Sequence, residues 1–305
     1  MLAFLQAIFN LIWGILYAIR WLIVAALAIG LPIYLYLTFA KEPVFSAKYD
    51  VELGQQTVRS IAQDPEQYPL LSEEEYPEVY GHMQGLVDRL VQAPEIQYRD
   101  DFAYDQVKII HDDEVLNAFC APGGYIYVFT GLMRYLDYED HLAGVLGHEI
   151  AHAELRHSSQ RLQKEFGAQK LLDFALLSTP ATTGDVINAQ IAKQLLTLDY
   201  GRDQEAQADD YSVKYLASSG YACDGTAGFF AKLLEEGQDV NIPEFLSDHP
   251  ASDARVRDIR RAAEEAGCST ELGDPEQWEA IKGSLPPLPV AEPAKESGGT
   301  STTTS

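Results

Sequence analysis

The stretch His148-Glu149-Ile150-Ala151-His152 decides how the rest of the chain is read. On an α-helix, residues four apart are offset by about 40°, so His148 and His152 present their imidazoles on one face. Two imidazoles at that spacing suit one zinc ion, and Glu149 beside them can take a proton from a water that the metal activates. Leu142, Val145, Leu146, Ile150 and Leu155 supply apolar positions around the motif, and no proline occurs between residues 139 and 162. The pattern predicts a helix over about 138–164. The plain alternative is a chance pentapeptide whose histidines only pack. A third ligand decides between the two.

A metzincin would continue with a glycine at 155 and a histidine at 158, but the chain has Leu155 and Ser158. His157 lies about 180° from His148 around an unbroken helix, which leaves it a solvated or hydrogen-bonded surface residue. The run from Arg202 to Val213 offers a carboxylate instead. Glu205 and Asp209 are four apart and share a face. Glu205 can be the third ligand, and Asp209 can accept the free ring N–H of a ligand histidine. Ala206 and Ala208 favour close approach of another helix. In a chain this acidic, a merely solvated face is the competing reading.

Three segments together resemble one family, the membrane-associated zinc metallopeptidases that include the CAAX prenyl proteases, HtpX and the BepA-type proteases. The first is the motif at 148–152. The second is Glu-x-x-Ala-Asp at 205–209. The third runs from Asn117 to Leu132, with Pro122-Gly123-Gly124-Tyr125 similar to the BepA-like branch. Glu52-Leu53-Gly54 and the run from Asp248 to Arg255 add weaker matches, so the resemblance spans about 48–262. Cys120, Gly201 and Gln207 depart from the common pattern without removing a ligand, and no helical-repeat extension follows as in BepA. The resemblance implies a zincin-like (gluzincin) fold, mainly α with a small β-sheet, behind an N-terminal membrane anchor. It implies one Zn2+ per chain on His148, His152 and Glu205, with Glu149 catalytic.

The resemblance also places the His249-Pro250 loop near the metal. His249 is then a latch on the open coordination position or a donor to the oxyanion. Arg255 stabilises that oxyanion or holds the acidic ligands in place. A loop histidine and a surface arginine are the bland readings. The alternation in Tyr125-Ile126-Tyr127-Val128-Phe129 reads as a β-strand. As an edge strand it would bind an extended peptide by backbone pairing, making Asn117, Tyr125 and Tyr127 the candidate substrate-binding residues. It also reads as a core hairpin paired with Val107–Ile110.

Residues 2–19 and 21–40 are apolar runs separated by Arg20. Trp21–Ala40 has the length of a membrane span, with Arg20 and Trp21 at one interface and Lys41 at the other. The first run is a second span, a surface segment, or part of one long helix. We expect an uncleaved anchor at 1–41, a metallopeptidase domain at 42–283, and a disordered Pro- and Thr-rich tail at 284–305. Helices are expected near 48–63, 74–93, 186–198, 202–219, 224–236 and 251–266, and strands near 106–111 and 124–130. The segment 165–185 is a cover, a membrane-facing helix, or a core helix and loop.

The net charge of −24 argues against nucleic acid and anionic lipid surfaces as partners. Of three cysteines, Cys223 and Cys268 could pair, or all could be reduced. The expected function is a membrane-anchored endopeptidase acting on unfolded or misassembled envelope proteins, at a bacterial inner membrane with a periplasmic catalytic domain. The alternative is a chaperone-like assembly factor with a latched zinc site. A single anchor region argues against a CAAX-type protease, which encloses its site within several spans.

Overall fold

A computed structural model of the chain describes residues 2–39, 46–164, 200–236 and 249–288. The N-terminal segment is one continuous helix, α1 (Leu2–Phe39), of 38 residues with Pro32 inside it. Among the described residues, Ile12–Pro32 is long and apolar enough to cross a membrane. Arg20 lies within that stretch. The apolar residues on both sides outweigh one charge. Large side chains such as Phe4, Trp13 and Leu27 stand exposed along it.

The remaining helices begin and end where local chemistry directs. α2 (Ala47–Ala62) is followed by α3 (Pro77–Leu90), which starts on proline, with Glu78 in its first turn and Arg89 in its last. Strands β1 (Lys108–Ile110), β2 (Ala118–Ala121) and β3 (Tyr125–Phe129) precede the short α4 (Thr130–Tyr135) and then α5 (Glu139–Glu154). α6 (Arg202–Ser219) ends on Gly220 at φ 85°, and α7 (Gly225–Glu236) follows. In α8 (Asp253–Ala266) the Ser252 hydroxyl accepts from Arg255 N–H, and Gly267 at φ 64° ends the helix. α9 (Pro275–Gly283) is capped by Asp274.

The sheet order is β1-β3-β2. β1 pairs with β3 in parallel, so these two strands do not form the expected hairpin; the hairpin is β2–β3. Its turn is closed by Gly123 and Gly124 at φ 78° and 86°, a region that side chains disfavour. β3 is central, paired on both sides, and so is not an edge strand. The sequence signal for β2 was short, and its period merged with that of β3. Leu70 bridges the far side of β1, and among the described residues β2 is the strand at the other edge of the sheet.

α5 is buried on nearly every face, as a helix enclosed by neighbours must be. It packs on α6, α7 and β2. Leu142, Val145, Leu146 and Ile150 are fully buried, each stabilising by about 1.5–3 kcal/mol. At the α5–α7 crossing the backbones touch. A Cβ on Gly144 would lie 2.1 Å from Thr226 N, and one on Gly225 2.2 Å from Asp140 O. The Thr226 hydroxyl donates to Gly144 O at 3.0 Å.

The helix expected over 138–164 is interrupted. α5 ends at Glu154, Arg156 adopts a left-handed φ of 56°, and helix resumes at 157–164. Such a conformation costs a non-glycine residue about 1–2 kcal/mol. The offsetting contact is buried. Arg156 Nε and Nη2 reach Asp50 Oδ2 of α2 at 2.7 and 2.6 Å, and Ser159 Oγ donates to Asp50 Oδ1 at 2.6 Å. Cys223 and Cys268 form a disulfide that ties the start of α7 to the end of α8, and Cys120 is free and buried. Leu285 is buried and Pro286 O accepts from Arg134. The expectations for 165–185 and 186–198, and for the tail from 289 on, fall outside the described residues.

Candidate metal centre

α5 sets His148 and His152 one turn apart with their Nε2 atoms 3.1 Å from each other. α6 brings Glu205 against both, 3.5 Å from His148 Nε2 and 3.4 Å from His152 Nε2. The loop before α8 adds His249, whose Nδ1 lies 3.2 Å from His148 Nε2 and 2.9 Å from Glu205 Oε1. All four residues are buried, and their ligand atoms lie within 4.8 Å of one another.

These spacings test whether the donors suit zinc. Two donors at zinc distance in a tetrahedral arrangement lie about 3.3 Å apart. Five of the contacts between these groups, at 2.9–3.5 Å, lie near that value, and one donor atom from each of the four residues lies within 4.8 Å of the others. Two or three imidazoles with one carboxylate are also a zinc-type donor set. The residues fit the ion, with His249 in the place of the fourth donor.

The neighbours of these donors are ordered too. His148 Nδ1 is 3.0 Å from Asp209 Oδ1. Arg255 grips Asp209 through Nε at 2.8 Å and Nη2 at 2.6 Å, and its Nη1 is 2.8 Å from Glu205 Oε2. Its guanidinium also covers the Phe230 ring at 4.3 Å and donates to Pro250 O. These contacts join Arg255 to both acidic residues. Tyr200 stacks on His152 with centroids 4.0 Å apart. Nothing in the sequence signalled that residue. His157 is fully buried, not on the surface, because the break at Arg156 turns it inward; its Nδ1 lies 2.9 Å from His152 Nδ1.

Burial and pairing pull the titrations apart. Burial alone would raise Glu205, but hydrogen bonds from His148, His152 and His249 hold it well below the usual carboxylate range. Burial likewise opposes ionisation of Asp209, and Arg255 and His148 reverse it to a net lowering. Burial would lower His148, yet Asp209 and Glu205 push it up to about 9. Burial lowers His152 well below its ordinary value. Glu149 is raised, chiefly by burial, which suits a proton acceptor poised nearer neutrality.

Glu149 lies buried between β2 and the His249 loop. Its Oε2 accepts from Cys120 N–H of β2 at 3.4 Å, and its Oε1 is 3.4 Å from His249 Nε2. Phe129 N–H donates to Asn117 O, which puts 117, 119 and 121 on the paired side of β2. The backbone groups of Ala118 and Cys120 then face away from β3, where the Cys120 N–H meets Glu149. Asn117 is buried at the inner side of that strand. Tyr125 and Tyr127 pack with Ile61 and Ile110, whereas Ile126 and Val128 join the core that contains α5. Strand alternation therefore turns both tyrosines away from α5.

Residues 79–263 match Peptidase family M48. The chain is 32% identical over 157 residues to mitochondrial metalloendopeptidase OMA1 of Arabidopsis thaliana, covering 50% of this chain and 31% of that protein. It is 33% identical over 150 residues to metalloprotease LoiP of Escherichia coli (strain K12), covering 48% and 58%. It is 28% identical over 164 residues to the beta-barrel assembly-enhancing protease of the same organism, covering 51% and 34%. The chain thus matches less than two thirds of the length of each of these relatives.

Proposed function

Because the chain belongs to peptidase family M48, we propose that it is a membrane-anchored, zinc-dependent endopeptidase that cleaves unfolded or misassembled envelope proteins. The observation that carries this reading is the buried convergence of His148, His152, Glu205 and His249 with Glu149 alongside. His148, His152 and Glu205 would hold the ion. Zinc, when bound, supplies a Lewis acid for the scissile carbonyl and brings the pKa of water toward neutrality. Glu149 takes the proton from the attacking water and hands it to the leaving amine. The open edge of β2 at Ala118 and Cys120 aligns an extended peptide through its backbone, which selects chains that are not already paired. Asp209 and Arg255 keep the ligand side chains in place.

His249 must leave its position for a substrate carbonyl to approach, so it acts as a latch. α1 supplies the anchor. The Cys223–Cys268 disulfide supports an oxidising location for the catalytic part, such as a bacterial periplasm reached from the inner membrane. The name of the beta-barrel assembly-enhancing protease supports an envelope role by similarity. The second reading, an assembly factor whose zinc stays latched, is favoured by the position of His249 among the donors.

The test purifies the full chain in detergent, quantifies zinc, and compares casein cleavage by the wild type and Glu149→Gln. Cleavage by the wild type alone, with one zinc in each protein, is the expected result. Zinc in both with cleavage in neither supports the assembly-factor reading. Absence of zinc from both refutes the site assignment.

A further inference from the structure

The two α5 imidazoles have different supports. His148 turns its Nδ1 to a carboxylate, Asp209, at 3.0 Å. His152 turns its Nδ1 to another imidazole, His157, at 2.9 Å. Both direct Nε2 into the donor cluster. A ring that gives its Nε2 lone pair to a metal carries its proton on Nδ1. For His152 that proton points at His157 Nδ1, which must then be the acceptor. The proton of His157 is consequently on Nε2.

We propose that His157 is a positioning residue for the metal centre: it fixes the tautomer and ring orientation of His152. This rests on the zinc reading given above. The backbone delivers it. On a continuous helix a residue five positions on would lie about 140° away from His152. The left-handed turn at Arg156 brings it back onto the ring instead. Asp50 of α2 clamps that turn from both sides, through Arg156 and through Ser159. Tyr200 holds the face of the same imidazole. His152 is therefore fixed at its edge by His157 and on its face by Tyr200, and the first helix after the anchor supports the arrangement.

The experiment uses the full chain in detergent and compares wild type, His157→Phe and His157→Asn. Zinc affinity is measured by chelator competition, with the cobalt-substituted visible spectrum and the melting of zinc-free protein alongside. His157→Phe, which fills the space without an acceptor, should lower zinc affinity about 10–100-fold. His157→Asn, whose side-chain oxygen can accept where Nδ1 accepts, should recover most of that loss and the cobalt spectrum. Zinc-free melting should be similar in Asn and wild type. Wild-type zinc affinity in both variants would overturn the proposal. Equal losses in Phe and Asn with lowered zinc-free melting would overturn it too, by reducing His157 to packing. A wild type that binds no zinc would remove the functional reading and this inference together.

Discussion

Replacing Arg255 with methionine separates its two conceivable roles. The substitution keeps much of the stem and removes the charge. In the structure the guanidinium makes two bonds to Asp209, at 2.8 and 2.6 Å, and one contact to Glu205 at 2.8 Å. The side chains are 13% exposed for Arg255, 8% for Asp209 and 6% for Glu205, so solvent screens little of this. Removing one partner from a buried ion pair costs about 3–5 kcal/mol, because the other charge stays behind unpaired. At about 2–4 °C per kcal/mol, melting of the metal-free protein should fall by roughly 6–20 °C. Zinc should restore part of the loss, because a divalent ion on Glu205 replaces the missing positive charge. Thermal melting of both proteins in detergent, with zinc and with chelator, measures both quantities. An unchanged metal-free melting temperature, together with a large fall in turnover of the zinc-loaded variant, would refute the reasoning. That result would make Arg255 a donor to the reacting oxyanion.

Two further outcomes follow from the same geometry. In the metal-free protein, burial opposes a charge on His148, but Asp209 and Glu205 hold its pKa near 9. Zinc needs that imidazole neutral, so zinc affinity should rise about tenfold per pH unit from 7 to 9 and level off above. The raised pKa also means that this group's contribution to metal-free stability is full below about 6.5 and lost as pH rises through about 9. Chelator competition across this range checks the slope, and a flat affinity would refute the assignment. Replacing His249 with alanine should speed casein cleavage at unchanged zinc content. A hydrogen bond to a charged group is worth about 1.5–3 kcal/mol, which bounds the rise at roughly 100-fold. Slower or unchanged cleavage would show that His249 is not a latch.

Much of the candidate site was legible because its information is local. The i,i+4 spacing of His148 and His152, and of Glu205 and Asp209, is a property of any α-helix. The position of α6 over α5 is not local; Ala208, which is buried, hinted at it, whereas Ala206 is exposed. What the sequence hid was set by tertiary contacts. The break at Arg156 depends on Asp50, more than a hundred residues earlier, so an unbroken periodicity count put His157 on the wrong side. The edge strand was misassigned for a similar reason. Tyr125–Phe129 alternates well, but which strand lies outermost depends on pairing with β1, a parallel contact that no turn announces. Tyr200 bore no signal, since its role comes from stacking on a ring distant in sequence.

The glycines at the α5–α7 crossing bear on how genetic damage to this protein should be interpreted. A methyl group at position 144 would need roughly an ångström of separation that the packed backbones do not offer. α5 carries His148, Glu149 and His152 as one rigid body, so any such displacement moves all three together. Errors of that size can cost about 100-fold in rate. An inactive allele at Gly144 or Gly225 would thus mimic an active-site lesion while lying away from the chemistry. Screens that sort loss-of-function alleles by phenotype alone would place these two positions in the catalytic class.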